Sequence, residues 1–422
     1  MTEVTRRQFL QAACAVAASP IVTRSTPSAT AAPQVDFALG TVLNGLVASV
    51  SATAPGLVRI RAWPVENPSA EIVTPWASTN RANAATIALS AAASDGRAWA
   101  WRGEVRDASA ALVATHPARY VPARARAGPT TFTFAFGSCI LQKSAVPTLR
   151  VARSWSPVFL AVLGDLGYQD NPLSYPDTQN YAGYSAMFKR ILRHPDLADL
   201  LARAPFYGMQ DDHDYGKNDA DRTTVKAYAA EAYADLVPGA SWSSPAYRRW
   251  SIGDVDFFLT DNRRHKDPRG GPFENGLYMS VLGTNQREWL LSALASSAAR
   301  VKVVFIPMTM AWYWSTGEKA AVRRFINQNV GGTVIFLSGD KHAGGFARWP
   351  DRIWEMLAGP LRNPGKHRTP SAQGVIWTEN GTDKALYDCI GVVSVDTRTT
   401  GTITLRLLRD TGVELHREVI SI

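Results

Sequence analysis

Val158-Phe159-Leu160-Ala161-Val162-Leu163-Gly164-Asp165-Leu166-Gly167-Tyr168 is the stretch whose reading decides the fold. Its first six residues are all apolar, the pattern of a strand buried on both faces. The run stops at a glycine and delivers a carboxylate and a phenol three positions apart. Other apolar runs end alike. Thr131-Phe132-Thr133-Phe134-Ala135-Phe136 leads into Gly137-Ser138-Cys139, and Phe206-Tyr207-Gly208-Met209 into Gln210-Asp211-Asp212-His213-Asp214. Val255-Asp256-Phe257-Phe258-Leu259 leads into Thr260-Asp261-Asn262-Arg263, and Val334-Ile335-Phe336-Leu337 into Ser338-Gly339-Asp340-Lys341-His342. Open sheets bind ligands beyond the carboxyl ends of their strands. Strand ends carrying Cys, Asp, Tyr and His therefore predict one metal site assembled from distant segments.

A chain of 422 residues has room for two domains, or for one large domain with an appendage. Its 46% hydrophobic and 19% charged content is that of a globular protein and excludes a disordered chain. The formal charge of +9 suits an anionic substrate, but the lysines and arginines are dispersed, so no specific nucleic-acid partner is expected. Residues 1–31 read as a signal rather than as fold. Thr5-Arg6-Arg7-Gln8-Phe9-Leu10 is a twin-arginine signature, followed by the short apolar stretch 12–22 and the small-residue site Ala29-Thr30-Ala31. The apolar stretch contains Pro20 and falls short of the roughly 20 residues needed to span a bilayer. The expectation is export by the twin-arginine machinery to the periplasm or beyond the cell, with no stable membrane insertion after processing.

Residues 36–126 carry short alternating runs separated by Pro, Gly, Asn and Ser, the pattern of a small all-β, Ig/fibronectin-like sandwich. Segment 124–129 reads as a linker. From 130 to 422, strands alternate with helical stretches, expected at 184–193, 223–236, 285–299 and 319–327, as an α/β domain requires. The tail alternates over 389–396 and 401–409, like antiparallel strands that could supply the second sheet of a sandwich.

Each motif has a plain reading beside the chemical one. Asp165 sits in what is either a turn or a carboxylate able to bridge two cations. Tyr168 is either a packed aromatic or a phenolate ligand. Asp211-Asp212-His213-Asp214 repels itself unless cations or hydrogen bonds neutralise it, and His213 is placed to orient substrate or to protonate a leaving oxygen. Asp340 and His342 lie two apart on extended chain, pointing the same way. Arg263 either clamps phosphate oxygens or pairs with Asp261. With Cys14 removed by processing, Cys139 is either disulfide-bonded to Cys389 or a thiolate ligand. His194, His265, His367 and His416 are weak signals, and 311–314 reads as a packed aromatic wall.

Phe136-Gly137-Ser138-Cys139, Gly164-Asp165-x-x-Tyr168, Asp211-Asp212-His213-Asp214-Tyr215-Gly216-x-Asn218-Asp219, Leu259-x-Asp261-x-Arg263 and Ser338-Gly339-Asp340-x-His342 occur in order. Together with Leu282-Gly283-x-x-Gln286-x-x-Trp289-Leu290, they resemble the PhoD-type alkaline phosphatases. These form a branch of the calcineurin-like metallophosphoesterases related to purple acid phosphatases. The resemblance implies a four-layer α/β/β/α sandwich preceded by a small β domain. It implies metal-dependent hydrolysis of phosphate monoesters and diesters by in-line attack of an activated water. It also implies a ferric ion with one or two calcium ions. Carried onto this sequence, Cys139, Asp165, Tyr168 and His342 would hold the iron. Asp165, Asp212 and Asp340 would hold calcium, with Asn218 as a further candidate, and His213 and Arg263 would face the phosphate. Gln210, Leu166-Gly167 and Lys266 depart from the family pattern and bear on substrate preference. The rival readings are a phospholipase D-like or nucleotide phosphodiesterase activity on the same site, and a non-catalytic exported metal-binding protein.

Overall fold

Thr131–Gly137 lies between a parallel neighbour, Leu160–Leu163, and an antiparallel one, Cys389–Asp396. In the computed structural model the described residues are 32–43, 45–107, 109, 112–141, 145–170, 179–224, 227–240, 246–268, 280–350, 352–363, 374–378 and 387–422. The export signal expected over 1–31, Cys14 and His367 fall outside them. No helix among the described residues is long and apolar enough to cross a membrane.

The fold is mixed α/β, with several sheets and few helices. One six-stranded sheet runs in the order Phe206–Met209, Leu160–Leu163, Thr131–Gly137, Cys389–Asp396, Thr402–Arg409, Glu414–Ser421. A seven-stranded sheet runs Arg248–Ile252, Val255–Leu259, Val301–Met308, Thr333–Gly339, Ile353–Leu357, Gly345–Trp349, Val375–Thr378. The tail strands thus extend the sheet begun by Thr131–Gly137 and do not supply the second one. Alternation shows that a strand has two unlike faces, but it does not name the strand's neighbour.

Period-two side chains explain how the sheets are covered. Phe134, Phe136 and Phe159 of the first sheet share one buried cluster with Phe257, Phe305 and Leu337 of the second. Phe134 stacks on Phe159 with centroids 4.7 Å apart. Ala135, Leu160 and Val162 face the opposite way, against Tyr184, Phe188 and Ile191 of helix Tyr181–Leu192 and against Tyr233 and Leu236 of helix Ala227–Leu236. Phe258, Val304 and Phe336 meet Leu290, Leu294, Val322 and Ile326 of two further helices. The N-terminal strands form a three-stranded sheet and a second sheet built on Leu57–Pro64 and Trp99–Arg106. Phe37, Leu39 and Ala84 of those strands join the same cluster as Tyr233 and Leu236.

Helix ends follow their caps. The second-sheet helix runs Thr316–Asn329 and begins three residues before the expected 319, because the Ser315 hydroxyl accepts the Glu318 N–H at 3.2 Å. The helix expected at 184 begins at Tyr181, capped by Asn180, whose side chain accepts the Gly183 N–H at 3.0 Å. The helix expected to reach 299 is Thr284–Ala295. It stops where Ser297 turns its hydroxyl to the Asp256 carboxylate.

Candidate metal centre

The loops that follow the strands are stitched to one another through their backbones. Cys139 N–H donates to the Gly164 carbonyl at 3.1 Å, and Ile140 N–H to the Asp165 carbonyl at 2.9 Å. The Asp214 carboxylate accepts the Leu166 N–H at 2.8 Å and the Asp211 N–H at 3.0 Å, joining the second loop to the third. Asp340 N–H donates to the Ser138 hydroxyl at 3.3 Å. Gln286 accepts the Asp261 N–H at 2.7 Å and donates to the Asp261 carbonyl at 2.8 Å, which fixes the turn leading to Arg263. Buried Glu355 accepts the Ser338 hydroxyl and the N–H groups of Met310 and Ala311.

This stitching holds several residues in the sparsely populated left-handed region. Cys139 (φ 66°), Asp165 (55°), Asp340 (67°) and His342 (54°) are all non-glycine residues with positive φ. Each such residue costs on the order of 1–3 kcal/mol and persists only where its surroundings enforce it. Strain concentrated on four of the sequence-predicted ligands marks the site independently of their chemistry.

Their side chains meet. Asp165 Oδ2 lies 3.5 Å from Cys139 Sγ, 3.1 Å from the Tyr168 hydroxyl and 3.9 Å from His342 Nε2. The Tyr168 hydroxyl is 2.9 Å from His342 Nε2. Two further groups lie beside this one: Asp165 with Asp212 and His213, and Asp211 with Asp212 and Asp340. Asp165 and Asp212 are each shared between two of these groups. Arg263 is buried against the third. It pairs with Asp211, with Asp340 at 2.5 Å and with Asp212 at 3.4 Å. The ion pair weighed between Arg263 and Asp261 does not form, and Arg264 takes Asp261 at 3.2 Å instead. Cys139 and Cys389 are both free thiols, and Cys389 donates to the Gly359 carbonyl at 3.1 Å. The disulfide reading is therefore overturned. Asn218 is exposed, and its backbone N–H donates to Asp170 at 2.9 Å.

The electrostatics ask for cations. Two unit charges about 4 Å apart repel by about 4 kcal/mol at an effective dielectric near 20. Asp165, Asp211, Asp212 and Asp340 are packed against one another with a single guanidinium among them, and Asp211 Oδ2 is buried with no hydrogen-bond partner among the described residues. Burial, then Asp165, pushes the Cys139 thiol and the Tyr168 phenol well above their ordinary values. Burial lifts Asp340 and Arg263 pulls it back, but Asp212 and Asp165 lift it again, to about 6. Burial works against a charged His213, yet Asp212, Asp165 and Asp170 outweigh it and raise the imidazole to about 10. The donor set fits two kinds of ion. Thiol, phenol and imidazole on one side suit a transition-metal ion, and carboxylates alone on the other suit a hard divalent one.

A pH dependence follows for the protein stripped of cations. Asp340 and His213 are both raised in the folded state, so each stabilises the fold below its unfolded value, 3.8 or 6.5. That contribution is lost as pH climbs through about 6 and about 10 respectively. Asp212 is depressed, because Arg263 and His213 outweigh its burial, and it acts only below the ordinary carboxylate range. The melting temperature of chelator-treated protein is expected to fall from about pH 5 to about pH 9. Cation-loaded protein, whose carboxylates are neutralised, is expected to show a flatter profile over that range in the same scanning-calorimetry series.

Besides Glu355, Asp170 at this site escapes the sequence reading. The Asp170 carboxylate lies 2.7 Å from His213 Nδ1, and its other oxygen accepts the Asn218 N–H. The available signal was its position two residues beyond Tyr168, at the end of a loop that is otherwise uncharged after Asp165.

Residues 150–410 match the PhoD-like phosphatase family, and the chain belongs to it. That membership places it among the phosphoric ester hydrolases. Among solved structures, one described as the structure of PhoD superposes with a TM-score of 0.74 at 14% identity, covering 92% of this chain and 88% of that one. At that identity the likeness is one of fold. The comparison with curated proteins gives no match.

Proposed function

We propose that this protein is an exported, metal-dependent hydrolase of phosphate monoesters and diesters, with a ferric ion and one or two calcium ions in a four-layer α/β/β/α sandwich that follows a small all-β domain. The supporting observation is the convergence of Cys139, Tyr168 and His342 on one side of Asp165 and of Asp212 on the other, with Asp340 beside Asp212. The first four would hold the iron, and Asp165, Asp212 and Asp340 the calcium. When bound, such cations supply Lewis acidity and lower the pKa of water enough to give a nucleophile near neutral pH.

The chain's own residues do the rest. Asp170 on Nδ1 fixes the His213 ring and leaves Nε2 to face a departing oxygen. The Tyr168 ring packs on His213 at 4.3 Å and limits its rotation. Arg263 holds three carboxylates in register, and its buried Nη1 has no acceptor among the described residues. The twin-arginine signature at 5–10 supports export, to the periplasm or outside the cell. That route carries proteins already folded, with their metals chosen in the cytoplasm.

Kinetics on an aryl phosphate and its bis-aryl diester test this reading. Turnover of one or both, lost on chelation and regained with added metal, is the expected result. Metal binding without hydrolysis of either ester would favour a binding protein instead. Asp170→Asn is expected to lower kcat by about 10- to 100-fold, most on esters with poor leaving groups. It should also shift the basic limb of the pH–rate profile downward, a change that loss of packing alone would not produce.

A further inference from the structure

We propose that a cleft remote from the metal-ligating residues is a second anion site, which takes a small molecule carrying a phosphoryl group. The cleft, of about 480 Å³, opens between loop 93–96, segment 124–126 and the strand Arg248–Ile252 at the edge of the seven-stranded sheet. Ser94, Arg124, Arg126, Arg249, Trp250 and Ser251 line it, and no candidate metal ligand does.

Three arginines therefore line one concavity with few carboxylates to balance them. Arg124 and Arg126 have no carboxylate within ion-pair distance among the described residues, and Arg249 has only Asp256, at 3.6 Å. Arg124 donates to a carbonyl, that of Ala93, at 3.4 Å. The indole N–H of Trp250 is buried and has no acceptor among the described residues. The cleft's wall is shaped around these side chains. Gly96 has φ +81°, its carbonyl accepts the Arg124 N–H at 2.7 Å, and a Cβ there would lie 2.9 Å from Arg126 Cγ. A side chain at 96 would push the Arg126 stem away. Like charges gathered with few carboxylates among them repel, and guanidiniums match phosphoryl oxygens bidentately, so a phosphoryl group is the complement this wall lacks. The segment 124–126 is thus more than a tether between the N-terminal strands and the rest. The proposal does not depend on the catalytic reading.

Calorimetric titration of the metal-loaded full chain with inorganic phosphate, and separately with the non-hydrolysable phenylphosphonate, tests it. Wild type is expected to show two binding events. Arg126→Ala/Arg249→Ala should weaken one of them at least tenfold while leaving kcat and KM for an aryl phosphate unchanged. Phosphate binding without phenylphosphonate binding would identify free phosphate as the ligand, and binding of both would identify the phosphoryl group of an ester. No binding in wild type, or binding that the variant leaves unchanged whether as one event or two, would overturn the proposal. Should the double variant melt early, the exposed single change Arg126→Glu carries the same expectation. A tungstate soak should then place an anomalous peak between Arg124 and Arg126 in wild-type crystals, and an empty cleft there would count against the site.

Discussion

Asp165→Asn is expected to lower kcat/KM for an aryl phosphate by at least about a thousandfold, on the scale of losing the electrostatic stabilisation that two cations provide. The reason is its position. One carboxylate oxygen lies within 4 Å of a thiol, a phenol and an imidazole, while the other accepts the His213 N–H at 3.4 Å. An amide keeps the shape but removes the negative charge that two neighbouring groups share. The stability change should run the other way. Without cations, wild type carries the mutual repulsion of Asp165, Asp212 and Asp340, which the variant lessens. Chelator-treated Asp165→Asn should therefore melt no lower than chelator-treated wild type, and it should gain less on adding metal. A variant that loses activity and also melts well below wild type in chelator would point to a structural role for Asp165.

Gly164→Ala is expected to destabilise the fold by about 2–5 kcal/mol, toward the upper end for a single substitution. Gly164 has φ +89°, and a Cβ there would fall 2.2 Å from Asp211 Cβ and 2.7 Å from the Asp211 nitrogen. The left-handed backbone costs an alanine about 1–2 kcal/mol. The overlap adds about 1–3 kcal/mol or more, since the atoms it meets belong to a backbone tied down by Asp214. Urea melts should show the midpoint fall with an unchanged slope. Metal affinity should fall with it, because the loops that Gly164 brings together carry Asp165 and Asp212. By contrast, Gly317→Ala, in the helix Thr316–Asn329 where an added Cβ meets nothing within 4 Å, should lower neither the midpoint nor the metal affinity.

The strands that carry this site are legible in the sequence because each is a short apolar run ended by a glycine or a polar turn, and sheet chemistry places ligands at those ends. Leu160–Leu163 is buried throughout, as a continuous apolar run requires, and so is Val255–Leu259 although Asp256 interrupts it. Helix starts are less legible, since they depend on single capping side chains such as Asn180 and Ser315, which lie outside the apolar pattern. The neighbour of a tail strand is set by long-range pairing, Phe132 with Val395 for one, and no local pattern encodes it. At the site, Asp170 and Glu355 act by facing other residues rather than by standing in a motif, so only the folded chain shows them. Arg263 is recognisable as a charged residue beyond a strand, whereas its three carboxylate partners, Asp211, Asp212 and Asp340, come from two other segments.

The most direct test is elemental analysis and visible spectroscopy of the purified protein beside Cys139→Ala. If distant strand ends converge to hold unlike cations, wild type will contain iron and calcium and show a thiolate- and phenolate-to-iron charge-transfer band. The variant will lose that band and most of its iron while keeping its fold. A colourless, iron-free wild type that hydrolyses phosphate esters at full rate would contradict the assignment of Cys139 and Tyr168 to the centre.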